Sequence, residues 1–293
     1  DGGNDVVLTC VPSAKVWTGG HASSDSWDQA DNWSGGVPTI NDKIAFNASS
    51  IARLTTGNNN LVLTGIGIIF TSSSGDVTIS GNSIGMGSDG IDMSAATRNF
   101  IIGNALSFGA AQPWNVNSGY TLTVSGAVSG AYDLTKSGSG TLVLSGDNST
   151  SSYANAITVS AGTLKMGHAS ALGTVAGATT VSSGAVVDLN GLTVSLAEPL
   201  TISGTGISSG GAIVNSSSTA ASFAGAVTLA ANSSIGTTSG NITISGIIGE
   251  SGARTLTKVG TGYTLILSGA NTYTGLTTVS EGVLRVSHNT ATG

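Results

Sequence analysis

Apolar and polar residues alternate along much of the chain in short segments that end at glycine. One unit, an apolar residue, threonine, a second apolar residue, serine and glycine, occurs at residues 77–81, 122–126, 200–204 and 242–246. A two-residue period over about five residues predicts a half-buried β-strand, and the glycine after it predicts a turn. The chain is therefore predicted to contain many short strands joined by turns.

A longer period contains this short unit. Residues 134–146, LTKSGSGTLVLSG, match residues 256–269, LTKVGTGYTLILSG, and the similarity extends over about 121–166 and 241–286. Insertions fall in turns rich in glycine, asparagine and serine, as expected for strands joined by surface loops. In the second copy, Leu265 and Leu267 flank an isoleucine, and we expect at least one of the two leucines to be buried.

Stacking in parallel is the arrangement that lets strands this short bury a common core. We therefore predict an all-β fold, a parallel β-solenoid, with about 12–14 coils of roughly 20–25 residues each. The alternative is a pair of antiparallel sandwiches. A sandwich needs frequent Asn-Gly or Asp-Gly hairpins, and the chain offers few beyond Asn190-Gly191 and Asp89-Gly90.

The N-terminal region differs from the rest of the chain because it holds three of the four tryptophans, Trp17, Trp27 and Trp33. We predict an N-terminal strand and tryptophan-rich cap region over residues 1–60 and a β-solenoid body over residues 61–293. Aromatic residues are expected to fill and cover an atypical first coil. A glycan-stacking platform made by the three tryptophans and a calcium site among nearby aspartates are the alternatives.

Composition narrows the classes of function. Only 8% of the residues are charged, 44 are glycine, and the formal net charge is -6. The nine basic residues are scattered singly, so the basic stripe of a nucleic-acid-binding protein is missing and we predict no nucleic-acid partner. No run of about 18 apolar residues occurs, so no membrane-spanning helix is predicted.

Candidate catalytic and metal-binding patterns are sparse. The three histidines stand apart, and Cys10 is the single cysteine, which excludes an intramolecular disulfide and short-spaced zinc motifs. Most of the 15 acidic residues are isolated in the sequence, whereas glycan-cleaving enzymes need paired carboxylates. We predict no catalytic residues, metal ions or cofactors. Thr-x-Thr pairs of the kind found on ice-binding solenoids occur, but they do not repeat from coil to coil in the sequence.

The two copies resemble the autotransporter-associated β-strand repeat, also called the passenger-associated transport repeat. Its elements Leu-x-Lys-x-Gly-x-Gly, Leu-x-Leu-Ser-Gly-x-Asn-x-Tyr-x-Gly and Val-x-x-Gly-x-Leu stand between Leu256 and Leu284 almost without departure, and the first copy departs at residues 149–156. The resemblance implies a right-handed parallel β-helix in a passenger region that bacteria secrete or display on their surface. It does not specify an activity, because such passengers include adhesins, proteases and stalks.

These observations predict a structural, non-enzymatic β-solenoid that is secreted or located at the outer surface of a bacterial cell. An autotransporter-type adhesin that binds glycan through its N-terminal region is the alternative, and a polysaccharide-degrading β-helix enzyme is the third. The resemblance leaves two origins open. The chain is either a segment of a longer passenger precursor or a relative that is exported by another route.

The two ends of the chain predict self-association. Each end carries a strand-forming segment, and together the two segments contain Val6, Val7, Leu8, Cys10, Val11, Val283, Leu284 and Val286. Unpaired strand edges favour pairing with another chain, and a head-to-tail contact that does not close generates a filament. The alternative is that further coils of a longer passenger cover the C-terminal edge.

Overall fold

The computed structural model describes residues 13–47, 54–58, 60–149 and 153–292. These residues form a parallel β-solenoid of about 11 turns, which confirms the predicted fold class with slightly fewer coils than expected. They contain 29 strands, two short 3-10 helices at Ala30–Asn32 and Ile207–Ser209, and no α-helix. The predicted N-terminal strand, with Val6, Val7, Leu8, Cys10 and Val11, lies outside the described residues.

Strands of successive turns stack into three faces. Face 1 contains β1 (Lys15–Trp17), β3 (Lys43–Phe46), the ends of β5 (Leu63–Phe70) and β7 (Ile84–Met93), β10 (Gln112–Val116), β13 (Leu134–Ser137), β15 (Ile157–Val159), β17 (Thr179–Val181), β20 (Leu200–Gly204), the start of β23 (Val227–Gly236) and β25 (Ile248–Glu250). Face 2 contains β4 (Thr55–Gly57), β6 (Val77–Ser80), β8 (Phe100–Ile102), β11 (Thr121–Val124), β14 (Thr141–Leu144), β16 (Thr163–Met166), β18 (Val186–Asp188), β21 (Ile213–Val214), the end of β23, β26 (Leu256–Val259) and β28 (Thr277–Val279).

Face 3 is built in two runs. The first run contains the starts of β5 and β7, β9 (Leu106–Phe108) and β12 (Val128–Gly130), and the second contains β19 (Thr193–Val194), β22 (Ala221–Phe223), β24 (Ile242–Ile244), β27 (Thr264–Leu267) and β29 (Val283–Val286). The remaining strand, β2 (Trp33–Ser34), pairs antiparallel with β1. Every other strand pairing among the described residues is parallel, which excludes the sandwich alternative for them.

The ladders place similar residues on top of one another. On face 2, Leu122 pairs with Leu142, which pairs with Leu164 in the next turn, and all three side chains are buried. One continuous hydrophobic core results, and it extends from Trp17 to Ala291. The division of the chain at residue 60 stays a prediction, since β3 and β5 belong to one ladder that crosses it.

The two copies of the long repeat lie on different faces. Strands β13 and β14 of the first copy lie on faces 1 and 2, whereas their equivalents β26 and β27 lie on faces 2 and 3. The second copy is thus displaced by a whole number of turns plus one face. The repeat therefore determines the structure of a corner and the packing beside it, and its strands can lie on different pairs of faces of the solenoid.

In each copy of the repeat, the side chain of a buried lysine is hydrogen-bonded to backbone carbonyl groups at one corner. The Lys136 side chain is 0% exposed, and its Nζ donates hydrogen bonds to the carbonyl oxygens of Ser137, Gly138 and Ala161 at 2.9, 2.7 and 3.0 Å. Lys258 makes the three equivalent bonds at 2.7 to 3.0 Å. Burial lowers the pKa of Lys136 to about 8, while the three acceptors satisfy all three N–H donors of the ammonium group. Gly138 has a φ of 73°, a left-handed conformation that favours glycine, and this turns its carbonyl towards the ammonium group.

An asparagine replaces a strand pairing at another corner of each copy. Asn148 accepts a hydrogen bond from the Val128 amide at 2.8 Å and donates one to the Ala171 carbonyl at 2.7 Å. Asn271 bridges its neighbouring turns in the same way, at 2.8 and 2.6 Å. The side-chain amide therefore supplies the donor and the acceptor that a strand would offer at that level of the ladder.

The first prediction concerns the core of the second copy. Leu265 and Leu267 are both 0% exposed, which confirms that at least one is buried, whereas Ile266 lies on the outer side of β27. We expect Leu267→Ala to lower the free energy of unfolding by about 2–5 kcal/mol, because the lost methyl groups leave a cavity. The matched control, Ile266→Ala, is expected to cost about 0.5 kcal/mol or less. Urea unfolding followed by circular dichroism measures both, and equal losses would contradict the assignment.

The second prediction concerns the buried lysine. We expect Lys136→Met to lower the free energy of unfolding by about 1–3 kcal/mol, because three interior carbonyl oxygens lose their donor. Lys43→Met is the control, since Lys43 is partly exposed and pairs with the exposed Asp89 at 3.0 Å, a contact worth about 1 kcal/mol at most. The same unfolding measurement applies. A loss no larger than that of the control would show that the corner does not depend on the lysine.

Candidate functional site

The three N-terminal tryptophans lie together in the core. Trp17 and Trp27 are 0% exposed and Trp33 is 6% exposed. The Trp33 ring makes edge-to-face contacts with Trp17 and Trp27, at centroid distances of 5.1 and 5.3 Å, and its Nε1 donates to the Trp27 carbonyl at 2.9 Å. This packing favours the cap interpretation, because the rings fill the first described turn. A glycan contact through these rings would require them to leave the core.

The predicted C-terminal assembly residues lie on β29. Val283 and Val286 are 56% and 47% exposed, and Leu284 packs partly against the core. One side of β29 pairs with β27, and no strand among the described residues pairs with its other side. Leu276 and Val279, which are 71% and 46% exposed, extend the same apolar edge. Its predicted partner, the segment that contains Val6 to Val11, lies outside the described residues.

Ionisable groups are dispersed over the described ranges. These ranges hold no cluster of three or more His, Cys, Asp or Glu side chains that could bind a metal ion, and no helix in them is long and apolar enough to cross a bilayer. Glu198 is 2% exposed, and burial raises its pKa to about 8. Its carboxyl group accepts a hydrogen bond from the Thr179 hydroxyl at 2.7 Å, which anchors this side chain in the interior.

A row of threonines runs along the outside of face 1. The residues that pair on successive turns are Thr135, Thr158, Thr180, Thr201 and Thr228. Each one stands between two buried residues of its strand, so its side chain points outwards. The steps between turns are about 4.8 Å. We call these five residues the threonine file. Serine follows two residues after each of the first four, at Ser137, Ser160, Ser182 and Ser203.

The hydroxyl groups of the threonine file are free of protein partners. Over the described part of the chain, no hydrogen bond to protein engages any of the five. Outward serines elsewhere behave differently, since the Ser245 and Ser268 hydroxyls on face 3 donate to carbonyl oxygens of the preceding turn at 3.4 and 3.5 Å. The threonine hydroxyls are therefore available to solvent or to a ligand.

A polar groove lies beyond Thr135, the first member of the threonine file. It encloses about 560 Å³, and its polar lining includes Asn41, Thr64, Ser88, Asp89 and Ser107. A second depression of about 450 Å³ shares Ser88 with the groove and reaches Asp133 and Thr135. Because Thr135 also begins the threonine file, groove and file form one continuous surface. We call this surface the polar track.

Glycine forms the floor of the groove, where β5 and β7 pass from face 3 to face 1. A Cβ atom at Gly87 would collide with the Gly65 carbonyl oxygen, so the floor can carry no side chain there. Asp89 on the rim pairs with Lys43 at 3.0 Å. None of the described residues that line the two depressions is lysine or arginine, which leaves the groove neutral to acidic.

The threonine file is a single row of threonines and not an array of Thr-x-Thr pairs, and the sequence alone did not predict it. The spacings between its members vary from 21 to 27 residues, because the loops between faces differ in length. A search at one fixed period therefore misses the array. The signal that could have found it is the recurring triplet of threonine, a core residue and serine in the stretch from Thr135 to Ser203.

Comparison with known sequences supports the repeat. The family described as passenger-associated-transport-repeat matches residues 134–166 and 256–286. The chain is also similar to the adhesin BmaC autotransporter of Brucella suis biovar 1 (strain 1330), with 34% identity over 166 residues. That alignment covers 56% of this chain and 4% of the relative, so the chain spans a small part of the relative's length. No solved structure matches.

The matched residues begin and end with strands of the solenoid. The first match extends from the start of β13 to the end of β16, and the second from the start of β26 to the end of β29. Each match includes the buried lysine and the bridging asparagine. The chain is thus a parallel β-solenoid, two segments of which match the passenger-associated-transport-repeat family.

Proposed function

We propose that the chain is a non-enzymatic, adhesin-like β-solenoid that is secreted or displayed at the outer surface of a bacterial cell. The observation that carries the proposal is the presence of two passenger-associated-transport repeats within one continuous solenoid core. The similarity to an adhesin autotransporter supports it. In this role the solenoid is a rod that holds a contact surface away from the cell.

The rod-like role follows from the ladders. Each turn binds its neighbours through in-register parallel pairings on the faces, and inward residues stack between turns in one core. A solenoid of this kind is stabilised by nearest-neighbour contacts along its axis. A target is then expected to meet the outward residues of the faces rather than an enclosed pocket.

The third prediction tests adhesion. The chain is fused to a heterologous surface anchor in a non-adherent bacterium, and attachment to cultured epithelial cells is counted. We expect attachment several-fold above that of cells that carry the anchor alone. A strain that displays an unrelated β-solenoid of similar length controls for the effect of any rod on the surface. Attachment equal to that of the control strain would contradict the adhesin role, and release of reducing sugars from host glycans would favour an enzyme.

A second candidate function is end-to-end assembly of copies of this chain. The observation that favours it is the apolar edge formed by Leu276, Val279, Val283 and Val286 on the last described turn. An unpaired strand with exposed apolar side chains is a template for pairing with another chain. In this proposal the segment that contains Val6 to Val11 of one copy pairs with the β29 edge of the next.

The fourth prediction tests this assembly. We expect the full chain to sediment as species larger than a monomer at high concentration, and Val283→Glu with Val286→Lys to shift it to monomers, because charges oppose burial of the edge. Val175→Lys is the control, since Val175 is 57% exposed but lies in a loop away from the edge. Deletion of residues 1–11 is expected to act like the edge variant. A full chain that sediments only as a monomer would exclude end-to-end assembly.

A further inference from the structure

We propose that the polar track binds a linear, neutral polysaccharide that lies along the axis of the solenoid. The proposal rests on the adhesin-like function for its biological role, and it names the class of ligand and the surface that would bind it. That surface does not include the rings of the three tryptophans, which are buried.

The polar track offers a regular row of hydroxyl groups. The threonine file presents five outward hydroxyls that no protein group engages among the described residues. They are held on paired strands at steps of about 4.8 Å, so little ordering cost remains when they bind. A row of fixed donors and acceptors is complementary to a polymer that repeats its own hydroxyl groups along its length.

The shape of the groove also favours such a ligand. Its volume of about 560 Å³ lies within the range of ligand pockets, about 300–1,000 Å³. The glycine floor lets a ligand approach the backbone closely, and serine, threonine, asparagine and aspartate side chains line the walls. Because the second depression joins the groove at Ser88 to the threonine file at Thr135, a chain-like ligand that passes from the corner between faces 3 and 1 onto face 1 could contact both.

The polar track is poorly suited to charged polymers and to peptides. The lining residues include Asp89 and Asp133 but no lysine or arginine, and the whole chain has a net charge of -6. The Lys43 ammonium group beside the groove is already paired with Asp89, so polyanions such as nucleic acids and acidic polysaccharides meet no unpaired cation in the lining. The large apolar side chain in the groove lining, that of Met86, is 0% exposed, and the apolar residues that line the second depression are the small Ala111 and Pro113, so the lining offers little to the large apolar side chains by which peptides are recognised. A neutral glycan meets these conditions.

The test uses the purified full chain in native gels that contain hydroxyethyl cellulose, a linear neutral glucan. Retardation as a function of polymer concentration gives the affinity. The test variant carries Thr158→Val, Thr180→Val and Thr201→Val, which keep the branched shape and strand preference while removing three hydroxyls. We expect its affinity to fall at least about tenfold, since three hydrogen-bonding groups are removed from the contact surface.

The matched control carries Thr78→Val, Thr123→Val and Thr243→Val. These threonines also stand between two buried residues, but they lie on faces 2 and 3. We expect this triple variant to bind like the unmodified chain and both triple variants to keep the thermal unfolding midpoint.

Ser107→Trp tests the groove, because Ser107 is exposed on its wall and an indole there would fill it. We expect it also to weaken binding.

Three results would overturn the inference. One is an unmodified chain that hydroxyethyl cellulose does not retard, and another is an unchanged affinity in the threonine-file variant. The third is stronger retardation by the polyanion alginate than by the neutral glucan. A different result would assign the threonine file to ice binding. In that case the unmodified chain inhibits ice growth, the threonine-file variant does not, and the glucan retards neither. If displayed chains adhere to cells while the purified chain binds no neutral glucan, the adhesin-like function stands and this inference fails.

Discussion

The in-register parallel pairing between turns determines every other feature of this molecule. Because a residue lies on its partners in the turns above and below, a side chain on one turn must fit its neighbours along the axis. Apolar partners such as Leu122, Leu142 and Leu164 satisfy this by stacking. A polar residue inside the stack can be tolerated only if the adjacent turns supply its hydrogen bonds.

Lys136 and Asn148 show how the polar residues of the repeat meet this condition. The lysine takes its three acceptors from its own corner and from the next turn, and the asparagine bonds to one turn on each side. One corner of the motif needs a buried group with three hydrogen-bond donors, which lysine supplies. Another corner needs a buried group that both donates and accepts, which asparagine supplies. Lysine at such a position does not mark a charged surface.

Alternation and internal repetition were enough to predict the parallel solenoid, because both report which residues are buried within a few positions of one another. They could not predict which strands share a face, since that depends on loop lengths that differ from turn to turn. The threonine file was missed for this reason, although each of its members lies in a strand that the sequence indicates. The sequence favours burial of Trp17, Trp27 and Trp33 in a cap but does not exclude a glycan-stacking platform, because exposed and buried aromatic residues have the same local pattern and only packing distinguishes them.

The displacement of the second repeat by one face has a consequence for how such a rod meets its surroundings. Equivalent outward residues of the two copies, such as Val143 and Ile266, point in different directions around the axis. Successive copies placed in this way would distribute one surface pattern around the circumference, as the steps of a spiral staircase do. A rod with that arrangement presents the pattern to a neighbouring surface without first rotating about its own long axis. A feature confined to one face, like the threonine file, meets a neighbouring surface only when that face is turned towards it.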